Sequence, residues 1–149
     1  MYYRLIGKKS EKVKNVIERG LVRRFAESIG DLHPIYFDEK TGKQSRYGRN
    51  IAPPTFPRVL DFGAVEGLEL PEKGLIHGEQ AYHYERPLFV GEEIYCYLKI
   101  SDYKEKTGNS GWMGFLKVER CGEDSQQNVT FIETSTVIIT EAVRKAMNS

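Results

Sequence analysis

The chain lacks an apolar run near the roughly 20 residues that cross a bilayer, so no membrane-spanning helix is expected. Met1-Tyr2-Tyr3-Arg4 is followed by no apolar core, so it does not read as a secretory signal. Charge of one sign is missing too. Lys and Arg number 22 against 21 Asp and Glu, and the formal charge is +1. Nucleic-acid binding needs a concentrated basic face, and this balance argues against one. The densest basic run is Lys8, Lys9, Lys12 and Lys14, which reads as a solvated segment. Cysteine is scarce. Cys96 and Cys121 stand alone, outside any Cys-x-x-Cys pair, and are expected as free thiols in a cytoplasmic protein. No grouping of His and Cys has metal-ligand spacing. Internal repeats, low-complexity tracts and linkers are absent, and 149 residues suit one domain, residues 1–149.

What is present falls into two halves. Val13, Asn15 and Ile17 alternate with charged neighbours, which predicts a short extended segment. From about Gly20 the period changes. Leu21, Val22, Phe25, Ala26 and Ile29 recur at helical spacing, and Gly30 is a natural stop. Asp38 to Ser45 is polar and suits a short helix or turns. A proline at the first helical position is favourable. A second apolar helix is therefore expected from Pro54 to about Gly63, with Phe56, Val59, Leu60 and Phe62 on or near a buried face. The second half is β-rich. A strand is expected over about Glu79 to Arg86. Ile94, Cys96, Leu98 and Ile100 form one apolar face of another. Two further strands cover Met113–Val118 and Val129–Ile139. Gly108 and Gly122 are placed in the connections, giving an antiparallel meander. Glu141 to Met147 reads as a helical turn. Helices first and an antiparallel sheet after them make an α+β protein, with the sheet's apolar face covering the helix.

Several segments occur together and in order. They are Arg19-Gly-Leu-Val-Arg-Arg-Phe-Ala-Glu-Ser-Ile-Gly-Asp31, Pro34-Ile-Tyr-Phe-Asp38, Tyr47-Gly48, Ile51-Ala-Pro-Pro-Thr-Phe-Pro57, Leu75-Ile-His-Gly-Glu-Gln80 and Arg86-Pro-Leu-Phe-Val-Gly-Glu92. In these the chain resembles the MaoC-like (3R)-hydroxyacyl thioester dehydratases and hydratases, N-terminal dehydratase type. The similarity runs over roughly Val16 to Thr140. It implies a hotdog fold, a curved antiparallel sheet wrapped around a central helix. It also implies chemistry on a 2-enoyl thioester carried by coenzyme A or an acyl-carrier protein. Partners would be a second hotdog, as homodimer or as heterodimer with a catalytic subunit, because exposed sheet edges tend to pair. No metal or redox cofactor is implied.

The resemblance places the site residues and exposes a departure. The family pattern is Gly-Asp-x-Asn-Pro-(Ile/Leu)-His, and this chain reads Gly30-Asp31-Leu32-His33-Pro34-Ile35-Tyr36. Asp31 keeps the aspartate position, and Tyr36 stands where the histidine should be. A phenol titrates near ~10 and is a poor base at neutral pH. His33, at the asparagine position, either brings an imidazole from a new direction or is a hydrogen-bonded structural histidine. The thioester oxygen would be held by a backbone N–H at a helix start. There the family's active members carry glycine near the second residue aligned with Pro53-Pro54. Pro54 has no N–H, and Thr55 would have to substitute.

Pro54, Thr55 and Phe56 are accordingly candidate substrate-binding residues, with His77 and Gly78 from the His77-Gly-Glu-Gln80 cluster. The alternative for that cluster is hydrogen bonding that fixes the start of a strand. Asp61 reads as solvated, His83 as surface or interface, and Trp112 as core or channel wall. The strand tyrosines, Tyr82, Tyr84, Tyr95, Tyr97 and Tyr103, read as core or interface. The expected function is a dehydratase subunit with little activity alone. Three alternatives stand beside it: an autonomous hydro-lyase using Asp31 with His33 or His77, a non-catalytic acyl-thioester binding protein, and a hotdog thioesterase using Asp31.

Overall fold

The computed structural model describes residues 1–149. The elements in chain order are β1 (Val13–Val16), α1 (Arg19–Ser28), α2 (Glu39–Gln44), β2 (Ile76–Tyr84), β3 (Glu93–Gly108), β4 (Gly111–Glu123), β5 (Val129–Thr140) and α3 (Glu141–Met147). Short 3-10 turns cover Tyr3–Leu5, Pro34–Tyr36 and Phe56–Val59. The five strands make one antiparallel sheet in the order β1-β3-β4-β5-β2. The meander expected for β3, β4 and β5 is present, and its strands run well past the stretches the alternation marked. No helix is long and apolar enough to cross a membrane.

The register fixes which side chains share a face. Tyr82, Glu133, Arg120 and Leu98 are neighbours across β2, β5, β4 and β3. One row along come Tyr84, Phe131, Gly122 and Cys96. This inner face carries the core, where Phe56, Phe62 and Val65 from the first half are buried with Ile94, Ile100, Leu116 and Phe131. Cys96 lies opposite Gly122 and Cys121 opposite Tyr97, so the two buried thiols occupy opposite faces and remain free.

Two expectations are corrected. The helix from Pro54 to Gly63 is a single 3-10 turn, Phe56–Val59. Pro57 has no N–H to close the first i→i−4 bond, the Phe56, Arg58 and Leu60 N–H groups close i→i−3 bonds instead, and Gly63 takes a positive φ of 73°. The segment therefore never accumulates the repeated hydrogen bonds that propagate an α-helix. Phe56 and Phe62 are still buried, whereas Val59 is exposed. Second, Gly108 ends β3, paired with Gly111, and Gly122 lies within β4 rather than in the connection, which is Asp124–Asn128. An added Cβ there would meet Phe131 Cε1 at 2.2 Å, so the glycine makes room for an aromatic ring in the core.

Candidate active site

The site begins with the end of α1. Its buried residues, Val22 and Ala26, tie the helix to the core. The Gly30 N–H donates to Glu27 O, and the Asp31 N–H donates to Ala26 O. With Gly30 at φ 72°, these two bonds form a Schellman cap. The cap satisfies the last helical carbonyls and fixes where Asp31 leaves the helix.

The next turn is built as tightly. Pro34 opens the Pro34–Tyr36 turn, and the Ile35 N–H donates to His33 Nδ1 at 3.1 Å. The His33 N–H points at Asp31 Oδ1 at 3.4 Å. Tyr36 is buried, and its hydroxyl donates to Asp31 Oδ2 at 3.3 Å. Burial raises the Tyr36 phenol above its ordinary value, and the neighbouring Asp31 carboxylate adds to the rise. The phenol thus keeps its proton and serves as a donor. His33 is exposed, with Nδ1 engaged as an acceptor, which puts the proton of the neutral ring on Nε2. In that tautomer its free nitrogen donates and is no base.

A residue that sequence reasoning overlooked pins this segment. Asn50 is buried, and its amide donates to Ile35 O at 2.8 Å and Asp38 O at 2.9 Å. Its Oδ1 accepts from Arg19 at 2.9 Å. A Cβ on Gly42 would fall 2.6 Å from the Asn50 amide nitrogen, so α2 can pass only with glycine there. The only signal in the sequence was an asparagine just ahead of Ile51-Ala-Pro-Pro54.

Tyr36 forms one wall of a cleft of about 380 Å³, shared with Arg46, Tyr47, Ile51, Pro54, Tyr84 and Arg86 among others. Tyr84, from the end of β2, donates its hydroxyl to Pro54 O at 2.5 Å. The sequence placed Tyr84 among the strand tyrosines read as core or interface, and nothing in it marked this bond. Arg86 is held by Glu92 through two bonds of 2.7 and 2.8 Å, and Glu92 also accepts from the Phe89 N–H.

The sequence-predicted residues therefore divide. Asp31, His33 and Tyr36 form one hydrogen-bonded group, and Pro54 shares the Tyr36 cleft. Thr55 is exposed, and its N–H meets no acceptor within the chain. Phe56 is buried edge-on against Phe25, with ring centroids 5.5 Å apart, and is a core residue. His77 and Gly78 sit at the far end of β2, seven and six residues before Tyr84, on the order of 20 Å away. Both are exposed, and the register shifts between His77 and Glu79. Neither lines the Tyr36 cleft or hydrogen-bonds to Asp31.

With this geometry established, likeness to known proteins gives the class. The C-terminally truncated HadBC (3R-hydroxyacyl-ACP dehydratase) complex of Mycobacterium tuberculosis superposes with a TM-score of 0.72 at 16% identity, over 91% of this chain and 97% of that one. The (R)-hydratase from A. caviae involved in PHA biosynthesis gives 0.66 at 19%, over 89% and 94%. The fold is therefore the hotdog of the MaoC-like hydratases. Residues 4–133 match the family described as FAS1-like, dehydratase domain region, and the chain belongs to it. A UPF0336 protein from Thermobifida fusca is 38% identical over 99 residues, 62% of this chain. The chain spans 65% of the length of that relative.

Proposed function

We propose that this chain is the supporting subunit of a (3R)-hydroxyacyl thioester dehydratase, one hotdog unit over residues 1–149 with little turnover by itself. The observation that carries this reading is the Tyr36 hydroxyl on Asp31, a protonated phenol where the reaction needs an imidazole base. The shortened Phe56–Val59 turn agrees with it. A four-residue 3-10 turn offers no helix dipole to a developing oxyanion, and Pro54 offers no N–H.

A supporting subunit still needs a surface for the partner. β2 pairs with β5 on one side only, and most of its residues are exposed. An edge strand left open in this way suits pairing with a second hotdog. The M. tuberculosis HadBC and ChsH1–ChsH2 proteins are solved as complexes of two different chains. The ligand would be a coenzyme A or carrier-protein thioester entering the Tyr36–Pro54 cleft, in a cytoplasmic protein.

The test is hydration of crotonyl-CoA and 2-dodecenoyl-CoA by the purified chain, followed by loss of enoyl absorbance. It is repeated after co-expression with a hotdog chain that carries the intact Asp and His. The expected result is background turnover alone and turnover in the complex. Turnover by the chain alone that is lost in Asp31→Asn and in His33→Ala would overturn the proposal in favour of an autonomous hydro-lyase. Tight thioester binding with no turnover in any complex would favour a binding protein.

A further inference from the structure

A buried charged group lies on the same inner face, beyond the cleft. Glu133 is 0% exposed, the end of a long side chain brought into the core of the sheet. Its Oε1 accepts from Gln80 at 3.1 Å and from Arg120 at 3.5 Å, with Arg58 at 3.8 Å. Its Oε2 is buried without a partner. Arg120 also donates to Ser135 at 3.1 Å, and Gln80 donates to the Tyr82 hydroxyl at 2.8 Å. Arg58 and Arg120 together wall a separate cavity of about 270 Å³ under the residue 57–63 segment. Neither the hydratase chemistry nor the fold's core requires charges here. Replacing a buried ion pair by apolar residues is often neutral or stabilising.

Position relates this group to the cleft. Tyr84 closes the cleft at Pro54, and the next inward residue on β2 is Tyr82, on the order of 7 Å further on. The two rings are stacked, with centroids 6.3 Å apart. Tyr82 is the register partner of Glu133, and Glu133 of Arg120. Counted inward from the cleft, the order along this face of β2 is Tyr84 and then Tyr82, whose row continues through Glu133 on β5 and Arg120 on β4.

We infer that the Tyr82–Glu133–Arg120 row, with Arg58, is the end-stop of the acyl site and restricts it to thioesters with short acyl groups. The inference rests on the thioester reading above. Methylenes laid against the row would strip water from guanidinium and phenol groups while returning no hydrogen bond. An apolar channel behaves differently. There each buried methylene would tighten binding about fourfold, the equivalent of about 0.8 kcal/mol.

The experiment measures binding of butyryl-, hexanoyl-, octanoyl- and dodecanoyl-CoA to the purified chain by calorimetry. These saturated thioesters cannot be hydrated. The expected result is affinity that rises to hexanoyl and then changes by less than about twofold in total, far below the methylene increment. The paired variant Arg120→Leu with Glu133→Leu, checked for a native melt, should regain a steep rise towards dodecanoyl. A steady rise of about fourfold per methylene in the unmodified chain would overturn the end-stop and leave thioester binding intact. Absence of binding at every length, by the chain alone and by its complex with a hotdog chain that carries the intact Asp and His, would remove the thioester reading and the end-stop with it. The unmodified series decides the matter even if the paired variant does not fold.

Discussion

The Asp31–Tyr36 pair and the Arg120–Glu133 pair are both polar contacts, but they belong to different regimes. The first lies at a helix end beside an open cleft, and its carboxylate also faces the His33 N–H. Solvent can reach that region, so losing one bond is mild there. The second lies under the sheet, with a fully buried carboxylate and one oxygen without a partner. Coulomb attraction is stronger there, and so is the penalty for an unmatched charge. The contact at the helix end sits where removal is tolerated; the contact across the core holds the sheet's interior in one arrangement.

Breaking the buried pair should produce the largest effect. Arg120→Leu leaves Glu133 buried without its near guanidinium, and a loss of about 3 kcal/mol is expected in urea unfolding. Adding Glu133→Leu should recover much of that loss. A double variant no better than the single would show that the pair is not coupled.

Tyr36→Phe should cost about 1 kcal/mol or less, because it removes a 3.3 Å bond to a partly solvated carboxylate. Tyr36→His tests the same site from the chemical side. Enoyl hydration by the chain alone should stay at background in that variant, since Pro54 and the short Phe56–Val59 turn are unchanged. Appearance of turnover would show that the histidine was the sole missing part.

Alkali sharpens the comparison. Burial raises Tyr36, and burial with Glu133 nearby pushes Tyr82 up to about 12. The unfolded chain releases these protons first, near ~10. Their contribution is complete below that pH and is lost as pH rises through the folded values. Stability should therefore stay flat to about pH 10 and decline above it. Tyr36→Phe should make the decline shallower.

The smallest effect is expected at His33. His33→Ala removes the cap on the Pro34–Tyr36 turn and should cost about 0.5 kcal/mol. In the partnered complex hydration should persist, and its loss would mean that this imidazole takes part in the reaction.

The two halves of the chain differed in how openly the sequence declared them. β3 was legible because Ile94, Cys96, Leu98 and Ile100 alternate against Tyr95, Tyr97, Lys99 and Ser101, and a half-buried strand demands that period. α1 was legible from its helical spacing and its glycine stop, and α3 from its composition. The Pro54–Gly63 segment misled because apolar spacing and a first-turn proline are both helix signals. The N–H missing at Pro57 and the pull of Phe56 and Phe62 into the core outweighed them.

By itself the sequence determined the class of fold and marked Asp31, His33 and Tyr36 as candidates that depart from the pattern of the family it resembles, because these are properties of local order along the chain. Only the tertiary structure decided that the Tyr36 hydroxyl rests on Asp31 and that Asn50 clamps the segment beneath it. It also joined Tyr84 to Pro54 and brought Glu133 under Arg120. Those contacts join residues up to 30 positions apart, or residues on neighbouring strands whose register sets them opposite one another. Register and loop path follow from how the whole core packs, and no local pattern encodes them.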